Sequence, residues 1–384
     1  MKALEFAPPP LSPAAEALRG EVRDFLAAEL TPEMRHDHSG TLGGINPEFS
    51  RKVGRKGWLG MTWPKRYGGH ERTALERYVV LEEMLAAGAP INAHYIADRQ
   101  SGPLILRFGT EEQRKAILPR IAAGECYICI GMSEPGSGSD LASVHSRATA
   151  TPDGFRVNGR KTWTSYVQHS HYILLLCRTG PAEEKNRGAG LSQFLVDPKT
   201  PGITVTPIHN LAGEHHFNEV VFDDVLLPKE ALIGDLHNGW QQLTSELALE
   251  RSGPDRFLAA FKLLLEATRV LGATPSERAA IALGRVTSHI LVLRRMSRSI
   301  AGIIEAGGHA PALQGAIVKD LGTTLEQELP EIVRQLVALE PSLESEDYLE
   351  SVLANVIMHA PSFSIRGGTR EILRSTIARG LGLR

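Results

Sequence analysis

Cysteine is scarce in this chain. Three residues in 384 exclude a disulfide scaffold and fit a reducing compartment. An excess of one charge is also missing. With 42 Lys plus Arg against 44 Asp plus Glu, no net field selects nucleic acid or an anionic membrane as the main partner. No apolar run reaches the ~18 to 20 residues that span a bilayer, and "YILLLC" has only the length of a strand, so membrane insertion is not expected. The start, "MKALEFAPPPLSP", has neither the apolar centre nor the cleavage site of a signal peptide, so a cytoplasmic location is expected. Three catalytic signatures are absent too. There is no G-x-x-x-x-G-K-[ST], no G-x-G-x-x-G opening a helix in a βαβ unit and no G-x-S-x-G elbow, which removes the P-loop, Rossmann and serine-hydrolase readings.

Two residue pairs hint at metal or redox chemistry without supporting it. Cys126 and Cys129 form a C-x-x-C inside "ECYICIGMS", but the run reads as a buried strand, where positions i and i+3 face opposite ways. Core packing is expected for both. His215 and His216 in "EHHF" have no carboxylate or cysteine set at ligand spacing, so no metal is expected.

What is present changes texture twice. Up to Glu125 the periodicity is helical: "PAAEALRGEVRDFLAAEL" puts Ala14, Leu18, Val22, Phe25 and Leu26 on one stripe. "GTEEQRKAILPRIAAGE" repeats the signal, with Thr110 as N-cap, and "GWLGMTWPKRYGG" is a loop carrying aromatics. From Cys126 to Gly234 short β-branched and aromatic runs alternate with turns such as "PDG" and "NG", which predicts an antiparallel barrel or sandwich. "GPAEEKNRGAG" interrupts them as an exposed loop. Beyond "NGWQQLTSELALERSG" the helical period returns. The expected fold is thus α+β and multidomain: a helical N-terminal domain at 1–125, a middle β domain at 126–234 and a C-terminal helical bundle at 235–384.

Three stretches could carry chemistry. "GMSEPGSGSD" (131–140) follows a strand with a Gly-rich turn whose free N–H groups suit phosphate oxygens, although a plain surface turn has the same spacing. "NGRKTWTSY" (158–166) offers Trp163 as a flat stacking face with two hydroxyls beside it, and a core tryptophan fits the pattern equally. "SIRGGTREIL" (364–373) joins a glycine pair, which suits positive φ or a close approach, to Thr369 as a helix N-cap, with no reactive side chain at the turn itself.

The ordered set "SEPGSGSD", "NGRKTWTS", "FNEVVFDDVLLP" and "GGTREI", together with "GWLGMTWPKRYGG", resembles the acyl-CoA dehydrogenase family of flavoproteins over nearly the whole chain. The resemblance implies a four-helix C-terminal bundle, FAD, 2,3-dehydrogenation of an acyl-CoA in lipid catabolism, and an electron-transferring flavoprotein as acceptor. It also implies site residues. Met132 and Ser133 would face the flavin's pyrimidine side, and Ser139 would lie near phosphate and CoA. Trp163 would flank the isoalloxazine, Thr164 and Ser165 would bond its N5 and O4 edge, and Thr369 and Glu371 would approach the cofactor from the C-terminal helix.

Many members carry the catalytic acid directly before the Gly-Thr of the last turn. Gly367 stands there in this chain. The family's second solution, a glutamate on the first helix of the C-terminal domain before an arginine, is matched by Glu250 in "SELALERSG", with Glu246 in reserve. Arg251 would hold the helix or orient substrate, and the Gly367 N–H would serve the thioester carbonyl. The usual Arg-x-x-Phe and Gln-x-x-Gly-Gly-x-Gly motifs have no counterpart, a pattern found in members acting on bulky, branched, cyclic or steroid side-chain acyl groups. A homodimer, a homotetramer and an α2β2 assembly with a related subunit all fit. Two further functions stay open: a non-catalytic subunit of a heteromeric dehydrogenase, and an oxygen-using flavoenzyme on the same fold.

Overall fold

The computed structural model describes residues 4–36, 43–184 and 186–383. Seven helices come first: α1 (Pro13–Glu29), α2 (Pro32–His36), α3 (Pro47–Arg55), α4 (Ala74–Ala86), α5 (Asn92–Ile96), α6 (Gly102–Phe108) and α7 (Glu111–Ala122). Seven strands follow: β1 (Ile128–Gly131), β2 (Arg147–Thr151), β3 (Gly154–Lys161), β4 (Tyr172–Arg178), β5 (Leu191–Val196), β6 (Ile203–His209) and β7 (His215–Pro228). The remainder is helical: α8 (Gly239–Glu250), α9 (Phe261–Leu271), α10 (Glu277–Glu305), α11 (Ala312–Arg334), α12 (Tyr348–Phe363) and α13 (Arg370–Gly380). Helices, then a β region, then helices is the expected class. None of the helices among the described residues is long and apolar enough to cross a membrane.

The chain divides into two compact units. One comprises Met1–Ile45, Arg72–Ile91 and Ala248–Arg384, the other Asn46–Glu71 and Asn92–Leu247. The boundary near the C-terminal side therefore falls inside α8.

In the second unit the strands form one sheet, ordered β1-β4-β2-β3-β7-β6, with β5 also on β4. Pairing is antiparallel except for β1 with β4 and one β2–β4 contact. β4 is buried on both faces, which is why "YILLLC" reads as an unbroken apolar run rather than an alternation. Its Ile173, Leu175 and Cys177 join the core with Cys129, Val157, Phe194 and Phe222. Leu174 turns the other way, into a core built with Trp63, Ile117, Ile121 and Cys126. The two cysteines thus serve opposite cores, both as buried free thiols. Thr110 caps α7 in a reciprocal capping box with Gln113. "GWLGMTWPKRYGG" is irregular yet inside: Trp58, Met61, Trp63 and Tyr67 are all nearly inaccessible.

In the first unit α1 starts at an N-cap, Ser12, and buries Ala15, Leu18, Val22, Phe25 and Leu26. The expected stripe began at Ala14. That residue is exposed, because the helix closes its first turn on the i−3 rather than the i−4 neighbour of Leu18. α11 is the central element here and runs against α10, α12 and α13. Its buried stripe, Gly315, Ala316, Lys319, Gly322, Thr323 and Glu326, carries two charged residues, which an apolar core would exclude.

Candidate active site

In the second unit the site is built on β1 and β3. β1 runs into "MSEPGSGSD", where Glu134 and Ser137 exchange backbone hydrogen bonds of 2.9 and 3.0 Å and close a tight turn. Lys161, the last residue of β3, is fully buried and donates through Nζ to the Met132 carbonyl at 3.0 Å and to Glu134 Oε1 at 2.8 Å. The N–H groups of His145 and Ser146 donate to the same carboxylate, at 2.6 and 2.8 Å. Burial works against the charge of Glu134, but Lys161 and these donors outweigh it and hold the carboxyl below its usual range. The next residue, Thr162, donates its N–H to the Ser133 carbonyl at 2.9 Å. The two stretches singled out in the sequence are therefore joined directly.

Trp163 follows in the left-handed region, with φ +59°, and so does Tyr166 at +54°. Non-glycine residues occupy that region at a cost, and here the surroundings enforce it. Thr164 exchanges backbone hydrogen bonds with Asn218, and Tyr166 donates its N–H to His216. Held this way, the Trp163 indole is 57% exposed, with its plane nearly perpendicular to Phe217 at 5.7 Å. An exposed tryptophan in a strained, fixed backbone is a platform rather than a core residue. Of the neighbouring side chains, Thr164 is buried and Ser165 half-buried. The Thr164 backbone is engaged by Asn218, while its buried hydroxyl has no hydrogen-bond partner among the described residues. Met132 and Ser133 are half-buried and Ser139 is exposed. Cβ atoms added at Gly136 or Gly138 would meet nothing within 4 Å, so these glycines leave open space above the turn.

His215 and His216 belong to packing. His215 Nε2 lies 2.7 Å from Asn218 Oδ1, and the His216 ring stacks on Tyr166 at 4.4 Å.

In the first unit the site is built on the end of α8, the turn after it, α11 and the glycine turn before α13. Gly367 and Gly368 have φ of +66° and +99°, which demands glycine. A Cβ at Gly367 would lie 2.9 Å from Glu250 Oε1 and 3.1 Å from Lys319 Cε. The space that a side chain at this turn would use is taken by the Glu250 carboxylate. Arg256 holds it there, with Nη2 3.0 Å from Glu250 Oε1 and Nε 2.8 Å from the Glu250 carbonyl. Arg251 donates from Nε to the Gly367 carbonyl at 3.1 Å, and Lys319 Nζ donates to the Gly368 carbonyl at 2.9 Å. With both carbonyls turned inward to cations, the N–H groups of Gly367, Gly368 and Thr369 meet no acceptor among the described residues. Thr369 is the N-cap of α13 and accepts from the Ile372 N–H, while Glu371 is exposed in the first turn.

Glu246, the reserve base, lies deep in the second unit and accepts from Gln193 Nε2 at 2.9 Å. Glu250, not Glu246, is the acid gathered with Gly367. Sequence reasoning missed Arg256, Lys319, Lys161 and Glu134. A signal existed for Lys319, which falls on the small-residue stripe of α11 at three- and four-residue spacing.

The second unit thus presents an open glycine turn joined to an exposed tryptophan, and the first a carboxylate held by arginine against a left-handed glycine turn. Residues 12–125 match the acyl-CoA dehydrogenase N-terminal domain and 129–225 its middle domain. Acyl-CoA dehydrogenase FadE26 of Mycobacterium tuberculosis is 31% identical over 394 residues, covering 97% of this chain and 98% of that protein. Among solved structures, a "Tcur3481-Tcur3483 steroid ACAD" superposes with a TM-score of 0.86 at 27% identity, over 98% of this chain and 99% of that one. The ChsE4-ChsE5 complex from Mycobacterium tuberculosis gives 0.84 at 30%, with the same coverage. The chain belongs to the acyl-CoA dehydrogenase family, whose members are flavin-dependent oxidoreductases.

Proposed function

We propose that this protein binds FAD and dehydrogenates an acyl-CoA between C2 and C3, with Glu250 as the base and a bulky, steroid-type acyl group as substrate. The observation that carries this reading is the Glu250 carboxylate standing in the space of the missing Gly367 side chain, 3.0 Å from Arg256. Met132, Ser133, Trp163, Thr164 and Ser165 would hold the ring, Ser139 the phosphate region, and Thr369 with Glu371 the cofactor from α13. The exposed indole, the open glycine turn and the unpaired N–H groups fit such a ligand. When bound, FAD supplies the two-electron acceptor for the hydride that leaves C3.

The chain's own residues do the rest. Glu250 takes the C2 proton, and the Arg256 guanidinium holds its carboxylate in place at 3.0 Å. As the C2–H bond breaks, negative charge moves onto the thioester oxygen, and the Gly367 N–H is a preset donor for it. Arg251 fixes that donor by anchoring the Gly367 carbonyl. Two named chains make up each of the two solved relatives quoted above, which supports an α2β2 assembly, and an electron-transferring flavoprotein is the acceptor expected for this chemistry.

The test is spectroscopic. Purified protein, alone and co-expressed with a related subunit, should be yellow and should bleach anaerobically with a steroid side-chain acyl-CoA faster than with straight, branched or aromatic ones. Colourless protein in both preparations would contradict the reading, and fast peroxide formation in air would replace the dehydrogenase with an oxygen-using enzyme.

A further inference from the structure

Lys319 is the one lysine of α11, and it is fully buried. A lysine on a buried helical stripe costs stability unless something needs its charge there. Two groups use it. Its Nζ donates to the Gly368 carbonyl at 2.9 Å, and its Cε borders the same methyl-sized space beside Gly367 that Glu250 Oε1 borders, at 3.1 and 2.9 Å. The glycine turn, the glutamate and the lysine thus meet at one point, delivered by three separate elements.

We propose that Lys319 is a positioning residue for the reaction, its buried ammonium holding the glycine turn through Gly368 and biasing the Glu250 carboxylate to stay ionised beside it. The inference rests on Glu250 being the base.

The surrounding charges are consistent with that role. Arg256, Arg366, Glu250 and Arg251 face Lys319 from the turn after α8, the turn before α13 and the end of α8, with Asp255 and Glu326 paired to Arg256 and Arg366 at 3.0 and 3.4 Å. Burial, helped by the three arginines and opposed by Glu250, pushes the ammonium down to about 7. Lys319 is therefore mostly charged below pH 7 and progressively neutral above it.

The experiment uses the holoprotein and follows anaerobic flavin bleaching by a reactive acyl-CoA as a function of pH, with flavin content measured first. Lys319→Met should keep its flavin, bleach about 10- to 100-fold more slowly below pH 7, and show its acid limb moved up by roughly one pH unit, because a carboxylate that loses a nearby cation holds its proton more tightly. Lys319→Arg should restore the position of the limb while leaving the rate intermediate. If Lys319→Met does not accumulate, Lys319→Gln, neutral and of similar length, carries the same prediction. An unshifted acid limb in the neutral variant, whether or not the rate falls, would overturn the proposal, since a structural defect alone lowers the rate without moving it. Glu250→Gln in parallel separates the two claims. Normal bleaching there removes the base assignment itself, whereas an inert Glu250→Gln beside an unshifted Lys319→Met removes only the role of the lysine.

Discussion

The two glycine-bearing turns of this protein use glycine for opposite reasons. At Gly136 and Gly138 the backbone is unstrained and the space over each residue is empty, so the absence of a side chain serves something that comes from outside the chain. At Gly367 and Gly368 the backbone is left-handed, and the space is filled by Glu250, Lys319 and Arg251 from the chain itself. One turn is open and the other is closed around the Glu250 carboxylate. On the proposed reading, the glycine in place of the usual acid is the condition for bringing the acid from α8.

The supports differ in the same way. The open turn rests on one buried ion pair, Lys161 with Glu134, and replacing Lys161 by Met strands a buried carboxylate. We expect a loss of about 3 to 5 kcal/mol in urea unfolding together with loss of bound flavin. Acid should weaken the same unit by another route. His94, buried and 2.8 Å from the Ser50 hydroxyl, is pushed down to about 4 by desolvation, with Asp98 acting weakly against this. Its folded value lies below the unfolded 6.5, so its contribution is intact above pH 6.5 and is lost as pH falls from there towards 4, on the order of 3 kcal/mol. Unfolding curves across that window should flatten in His94→Gln if this is right. Gly367→Ala tests the closed turn: left-handed alanine costs about 1 to 2 kcal/mol, and its Cβ displaces the Glu250 carboxylate, so bleaching should slow far more than stability falls. Gly136→Ala is the smallest effect, within about 0.5 kcal/mol in thermal melts. A measurable drop in flavin affinity without that loss of stability would show that the open turn is reserved for the cofactor.

Much of this was legible in the sequence, for identifiable reasons. The fold class follows from periods that switch from helical to strand and back at Cys126 and Gly234, and the N-caps at Thr110 and Thr369 follow from local spacing. Side-chain partnerships across long separations did not. Lys161 with Glu134, and Lys319 with Gly368, join residues 27 and 49 positions apart, and no periodicity says which charged residue a buried stripe will meet. Thr164 shows a finer limit. The sequence places it beside Ser165 as an equal hydroxyl, but the left-handed residues on either side turn the chain, and Thr164 ends up buried and Ser165 half-buried. Ala14 shows that even a clear stripe leaves its first turn ambiguous by one residue.

The central claim is that Glu250 does from α8 what a side chain at position 367 would otherwise do. Its most direct test is anaerobic flavin bleaching of Glu250→Gln against wild type with the same acyl-CoA and equal flavin content. The account predicts a fall of at least ~100-fold with flavin retained, and bleaching at the wild-type rate would contradict it.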